Sequence, residues 1–128
     1  MKKILFVEDN EMLLELYSIM LENESDQWDV TTAPDGETAL TLLRQHTFDV
    51  VASDMQMPGI DGIAVLTEAR RLHPHTSRII ISGASDQAVA ADTLNCTHLF
   101  IPKPFETQTL KDTLARITSL DACLRDDQ

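Results

Sequence analysis

At 128 residues the chain has the size of one domain, long enough to bury roughly two-thirds of its unfolded surface. Apolar residues make up 43% and aromatic residues 5%, the balance of a globular domain with an aliphatic core. A net charge of −11 argues against binding of nucleic acid or of an anionic membrane, since neither attracts a strongly acidic surface.

Strand and helix signals alternate five times along the chain. The apolar run at 3–7 predicts a first strand. Asn10 is a good cap for a helix on which Leu13, Leu16, Tyr17, Met20 and Leu21 share one face. A second short strand covers Trp28–Thr32, Pro34-Asp35-Gly36 turns the chain, and a helix over 36–46 directs Ala39, Leu40 and Leu43 inward. The third strand, 49–53, is apolar on both sides, as a central parallel strand should be. The loop Met57-Pro58-Gly59-Ile60-Asp61-Gly62 leads to a helix over 62–73 that packs Val65, Leu66, Ala69 and Leu72, with Asp61 as its cap and Pro74 ending it. The fourth strand, Arg78–Ser82, carries three consecutive isoleucines. A helix over 86–94 has only a shallow apolar face of Ala88, Ala90 and Ala91. The fifth strand, 98–101, runs into Lys103-Pro104, and a last helix over 107–120 presents Leu110, Leu114 and Ile117.

Such alternation with short connections implies right-handed crossovers and an α/β fold, a single doubly wound parallel sheet covered on both faces. The domain is expected over 1–120, with 121–128 as a frayed helix end or the start of a connector to a further module. Open sheets of this kind bind ligands outside the carboxyl ends of their strands. The charges fall there: Glu8 and Asp9 follow the first strand, Asp54 the third and Lys103 the fifth. Like charges so placed repel unless a cation sits among them. Oxygen ligands select a hard cation such as Mg²⁺. A carboxylate beside it can serve as a nucleophile towards phosphorus. Asp54 is the candidate nucleophile, Glu8 and Asp9 carry the metal, Lys103 supplies a second cation and Ser82 a hydroxyl, with Gly83 leaving the approach to Ser82 open.

Four motifs occur in order: Phe6-Val7-Glu8-Asp9-Asn10, Ser53-Asp54-Met55-Gln56-Met57-Pro58-Gly59-Ile60-Asp61-Gly62, Ile81-Ser82-Gly83-Ala84 and Lys103-Pro104-Phe105. Through them the chain resembles the receiver (phosphoacceptor) domain of two-component response regulators over about 2–120. The resemblance implies a flavodoxin-like (βα)5 domain with a five-stranded sheet in the order 2-1-3-4-5. It implies a phosphorylation-activated switch, in which a histidine kinase or phosphotransfer protein donates a phosphoryl group to Asp54. Mg²⁺ would be held by Glu8, Asp9, Asp54 and the Gln56 backbone carbonyl. Lys103 matches the family's lysine, Ser82 the switch hydroxyl and Phe100 the switch aromatic, and the Lys103–Pro104 bond is expected to be cis. Downstream, it implies that the surface of the helix at 86–94, the fifth strand and the last helix binds a target or output domain, or a second copy of the domain as a homodimer. No turnover of an external substrate is expected.

Departures from the family pattern carry meaning. Phe100 stands where tyrosine is more frequent, so a switch relying on a phenolic hydroxyl cannot operate, whereas ring rotation can. Cys96 and Thr97 replace a usual Gly-Ala before the fifth strand. Ala84 and Gln56 occupy positions that modulate phosphoryl lifetime in the family, and Ala84 offers no side chain to orient water. Two rivals are weighed against this reading. An Asp-nucleophile phosphatase of haloacid-dehalogenase type needs a second acid where the chain has Gln56. A non-phosphorylated pseudo-receiver, working only as an interaction module, leaves the full acid set and Lys103 without purpose.

The remaining residues read blandly. Cys96 and Cys123 are too few for a disulfide framework and lack metal spacing. The basic Lys2-Lys3 is followed by too short an apolar run for a signal peptide, and no stretch approaches the ~20 residues that cross a bilayer. A cytoplasmic location is expected. His46, His73, His75 and His98 are scattered and read as solvated, Met55 and Met57 as packing residues, and Trp28 as cover for a sheet edge or the core rim.

Overall fold

A computed structural model describes residues 2–22, 28–55, 57–82, 99–103 and 106–126. The helix expected over 86–94 lies outside them. So do Gln56, Gly83, Ala84, Cys96, Thr97, His98 and the Lys103–Pro104 peptide bond.

The strands are β1 (Lys2–Val7), β2 (Trp28–Ala33), β3 (Val50–Asp54), β4 (Ser77–Ser82) and β5 (Leu99–Pro102). They pair in parallel in the order β2-β1-β3-β4-β5, as the resemblance implied. The helices are α1 (Glu11–Met20), α2 (Gly36–Gln45), α3 (Gly62–Leu72) and α4 (Thr107–Asp126). Each of the first three opens on a side-chain cap: Asn10 accepts from Met12 and Leu13, Asp35 from Thr38 and Asp61 from Ala64. The last helix runs six residues past the expected end at 120.

Strand alternation divides the core in two. Ile4, Phe6, Val50, Ala52, Ile79, Ile81 and Ile101 face one side, where Leu14, Tyr17 and Met20 of α1 and Leu110, Leu114 and Ile117 of α4 cover them. Leu5, Val7, Val51 and Ile80 face the other, under Ala39 and Leu43 of α2 and Val65, Leu66 and Ala69 of α3. Every residue of β3 is buried, which is why its sequence shows no polar face. Trp28 is buried on the edge strand β2, and Met55 and Met57 pack into the second core.

Helix α1 departs from its expected face. Leu14 is buried, whereas Leu16 is 42% exposed, in company with Met12 and Ile19. The helix is apolar on nearly every side, so spacing alone does not choose the inward arc; Tyr17 and Leu14, three residues apart, choose it by packing on β1. His73 also differs from the solvated reading: it is half-buried, and its Nε2 lies 2.8 Å from the Leu43 carbonyl, joining α3 to α2.

The loop after β3 folds back over the strand end. Gly59 turns it with φ of 78°, a conformation that glycine adopts freely. Gly62 N–H then donates to the Met55 carbonyl at 3.0 Å. A Cβ at position 62 would lie 2.1 Å from the Asp54 carbonyl oxygen, so only glycine lets α3 start this close to β3. Gly62→Ala is therefore expected to cost about 1–3 kcal/mol and to lower the urea midpoint; an unchanged midpoint would show that the approach is not required.

Candidate functional site

The parallel register places three charged residues at one edge. Glu8 follows β1, Asp54 ends β3 beside it, and Lys103 follows β5, with the carboxyl end of β4 between. Alternation brings Glu8 onto the face of Ile4 and Phe6, Asp54 onto that of Val50 and Ala52, and Lys103 onto that of Ile101. All three therefore emerge on the α1–α4 side of the sheet. Two further bonds hold the strand ends: Glu8 N–H donates to the Ala33 carbonyl and Met55 N–H to the Ile81 carbonyl, each at 3.1 Å.

Lys103 reaches across the end of β4. Its Nζ donates to Glu8 Oε1 at 2.9 Å and to Asp54 Oδ1 at 3.0 Å. Glu8 and Asp54 are buried and Asp9 is exposed at the rim. One carboxylate oxygen from each of the three acids falls within 4.8 Å of the others. Glu8 Oε2 is buried and completes no hydrogen bond among the described residues. Three hard oxygen donors and an unsatisfied buried carboxylate oxygen fit a divalent cation held by oxygen.

Electrostatics follow from this crowding. Burial first, then the neighbouring Asp54, pushes the Glu8 carboxyl up to about 7, against the opposing pull of Lys103. Burial alone would pull the Lys103 ammonium down, but its bonds to Glu8 and Asp54 outweigh that and hold it above the ordinary lysine value. The pocket resists carrying two buried negative charges and favours keeping its one ammonium.

The expected site residues Glu8, Asp9, Asp54 and Lys103 are thus brought together. Ser82 ends β4, paired in register with Pro102 next to Lys103, and Phe100 lies within β5. One residue was read from sequence only as core. Tyr17 lies on the same face and is 2% exposed. Burial first, and then the charges of Glu8 and Asp54 and a hydrogen-bonding interaction with Glu8, raise its phenol above the ordinary tyrosine value. The period-two alternation of β1, laid beside the period of α1, was the signal that could have placed it near Glu8.

The doubly wound parallel sheet thus carries three acids and a lysine at its carboxyl edge. The family profile of the response regulator receiver domain matches residues 4–115, and the chain belongs to that family. The response regulator FleR of Pseudomonas aeruginosa is 34% identical over 116 residues, which cover 89% of this chain and 24% of that protein. A protein-glutamate methylesterase/protein-glutamine glutaminase of Nitratidesulfovibrio vulgaris is 33% identical over 114 residues, 86% of this chain and 30% of that protein. The chain therefore spans about a quarter to a third of the length of these curated relatives. Among solved structures, a receiver domain protein from Clostridium thermocellum superposes with a TM-score of 0.87 at 27% identity, covering 97% of this chain and 99% of that one. NtrX from Brucella abortus gives 0.88 at 26% identity over 98% of this chain and 29% of its own. No helix among the described residues is long and apolar enough to cross a membrane.

Stability should register the strained acid. Unfolded Glu8 titrates near 4.5 and folded Glu8 near 7. Between those values the unfolded chain has released a proton that the folded chain keeps, so stability falls as pH rises through this window. Without metal, Glu8→Gln should gain on wild type by up to about 3 kcal/mol between pH 4 and pH 8. Urea unfolding in EDTA at both pH values measures the gain; a pH-independent difference would mean that Glu8 is not under this pressure.

Proposed function

We propose that this domain is a phosphorylation-activated switch of two-component signalling, with Asp54 as the phosphoacceptor and Mg²⁺ as its cofactor. The observation that carries the reading is the Lys103 ammonium bridging Glu8 and Asp54 at the sheet edge. Glu8, Asp9 and Asp54 would hold the metal, with the Gln56 carbonyl as a further ligand. When bound, Mg²⁺ supplies charge neutralisation for the phosphoryl oxygens.

The chain's own residues do the rest. A carboxylate oxygen of Asp54 forms the new bond to phosphorus as the bond to the donor histidine nitrogen breaks. The electron pair leaves with that nitrogen, which takes up a proton. Lys103, already committed to two carboxylates, is placed to accept charge that grows on the transferred group. Burial of Asp54 restricts water and favours transfer between positioned partners over hydrolysis. Ser82 then engages the phosphoryl group and Phe100 turns inward, shifting a pre-existing equilibrium at the surface formed by 86–94, β5 and α4. That surface binds a downstream target, an output module or a second copy of the domain. The phosphoryl donor is a histidine kinase or a phosphotransfer protein. Chemistry is confined to the domain's own phosphorylation and dephosphorylation, and the setting is the cytoplasm.

Incubation with an acyl phosphate and Mg²⁺, followed by intact-mass measurement, checks the proposal. Wild type should gain one phosphoryl group, and Asp54→Asn and EDTA-treated protein should gain none. No gain in wild type, or a gain that survives Asp54→Asn, would overturn it.

A further inference from the structure

The large apolar side chains left exposed among the described residues are Met12, Leu16 and Ile19, and all of them lie on α1. Spaced four and three residues apart, they form one stripe along the helix. The stripe ends at a groove. Ile19 and Leu21 from the end of α1, with Trp28 and Val30 of the edge strand β2, line a cavity of about 590 Å³. A volume of this size accepts several apolar side chains. Three acids line the same groove, Glu15, Glu22 and Asp29, each exposed and none in an ion pair among the described residues. Lys3 is the register partner of Asp29 but forms no salt bridge with it. The groove lies towards the opposite end of the sheet from the acidic pocket. Trp28 pairs with Lys2 where β1 begins, whereas the pocket follows Val7 where β1 ends, ~17 Å away along the strand.

We propose that the groove between α1 and β2 is a docking site for a basic amphipathic helix of a partner protein. An apolar floor with unpaired acids along it is complementary to an apolar stripe flanked by lysine or arginine. Glu15 and Glu22 stand about two helical turns apart. That spacing admits guest side chains of leucine size between cations that meet the two acids. A second copy of the domain matches the groove poorly: a two-fold contact would bring the same acids together in chains of net charge −11. The site is separate from the acidic pocket, so its occupancy requires neither Asp54 nor a metal ion.

Fluorescence anisotropy with a labelled leucine–lysine peptide of about 15 residues tests this. One peptide carries its leucines on a single helical face, and a second of the same composition has them dispersed. The first should bind at least about tenfold more tightly, because the groove reads the apolar face as well as the charge. Ile19→Asp, and Glu15→Lys combined with Glu22→Lys, should each weaken it about tenfold or more; all three positions are exposed, so the fold is kept. Asp54→Asn should bind as wild type does. Equal binding of the two peptides, or variants that bind like wild type, overturns the inference. A loss confined to Asp54→Asn places the peptide at the acidic pocket and overturns it as well. A wild-type dimer in sedimentation that Ile19→Asp dissolves gives the groove to a second copy, with the same consequence.

Discussion

The structure depends on one arrangement, an ammonium bonded to two carboxylates at the end of a buried sheet. Each acid taken from water carries a desolvation cost that only a close opposite charge can offset. Lys103 provides it, but one positive charge serves two buried acids with a third at the rim. The pocket is left short of cation, and Glu8 shows it by holding its proton up to about neutral pH. A site in that condition is ready for a divalent ion and for a group whose charge the ion and the lysine can share.

The fold is arranged to produce that shortage in one place. Three strands end together, and alternation sends Glu8, Asp54 and Lys103 to the same side as the apolar residues that precede them. Those residues give each strand end a rigid footing in the core between α1 and α4. The loop between β3 and α3 is pressed on the Asp54 backbone by the contact that only Gly62 permits. Position and charge are thereby fixed by packing.

Much of this was legible in the sequence. The order of strands and helices followed from apolar runs alternating with amphipathic ones, and the three helix caps from Asn10, Asp35 and Asp61. The charged cluster could be placed because parallel strands put their carboxyl ends side by side, so residues far apart in sequence become neighbours by topology alone. What stayed hidden needed the angle between elements. Leu14 and Leu16 are equally apolar, and only the docking of α1 on β1 separates them. Tyr17 looked like one more core residue, because its relation to Glu8 depends on how a helix of period 3.6 lies over a strand of period two. The closeness of Gly62 to Asp54 and of His73 to Leu43 likewise arises from packing across elements.

The claim that Lys103 compensates a pocket of excess negative charge is tested most directly by removing the lysine and reading stability. In EDTA at pH 8, Lys103→Met should unfold about 1–3 kcal/mol more easily than wild type, since two buried acids lose their partner. Adding Asp54→Asn to that variant should recover most of the loss. A Lys103→Met protein as stable as wild type, or one that Asp54→Asn does not rescue, would contradict the account.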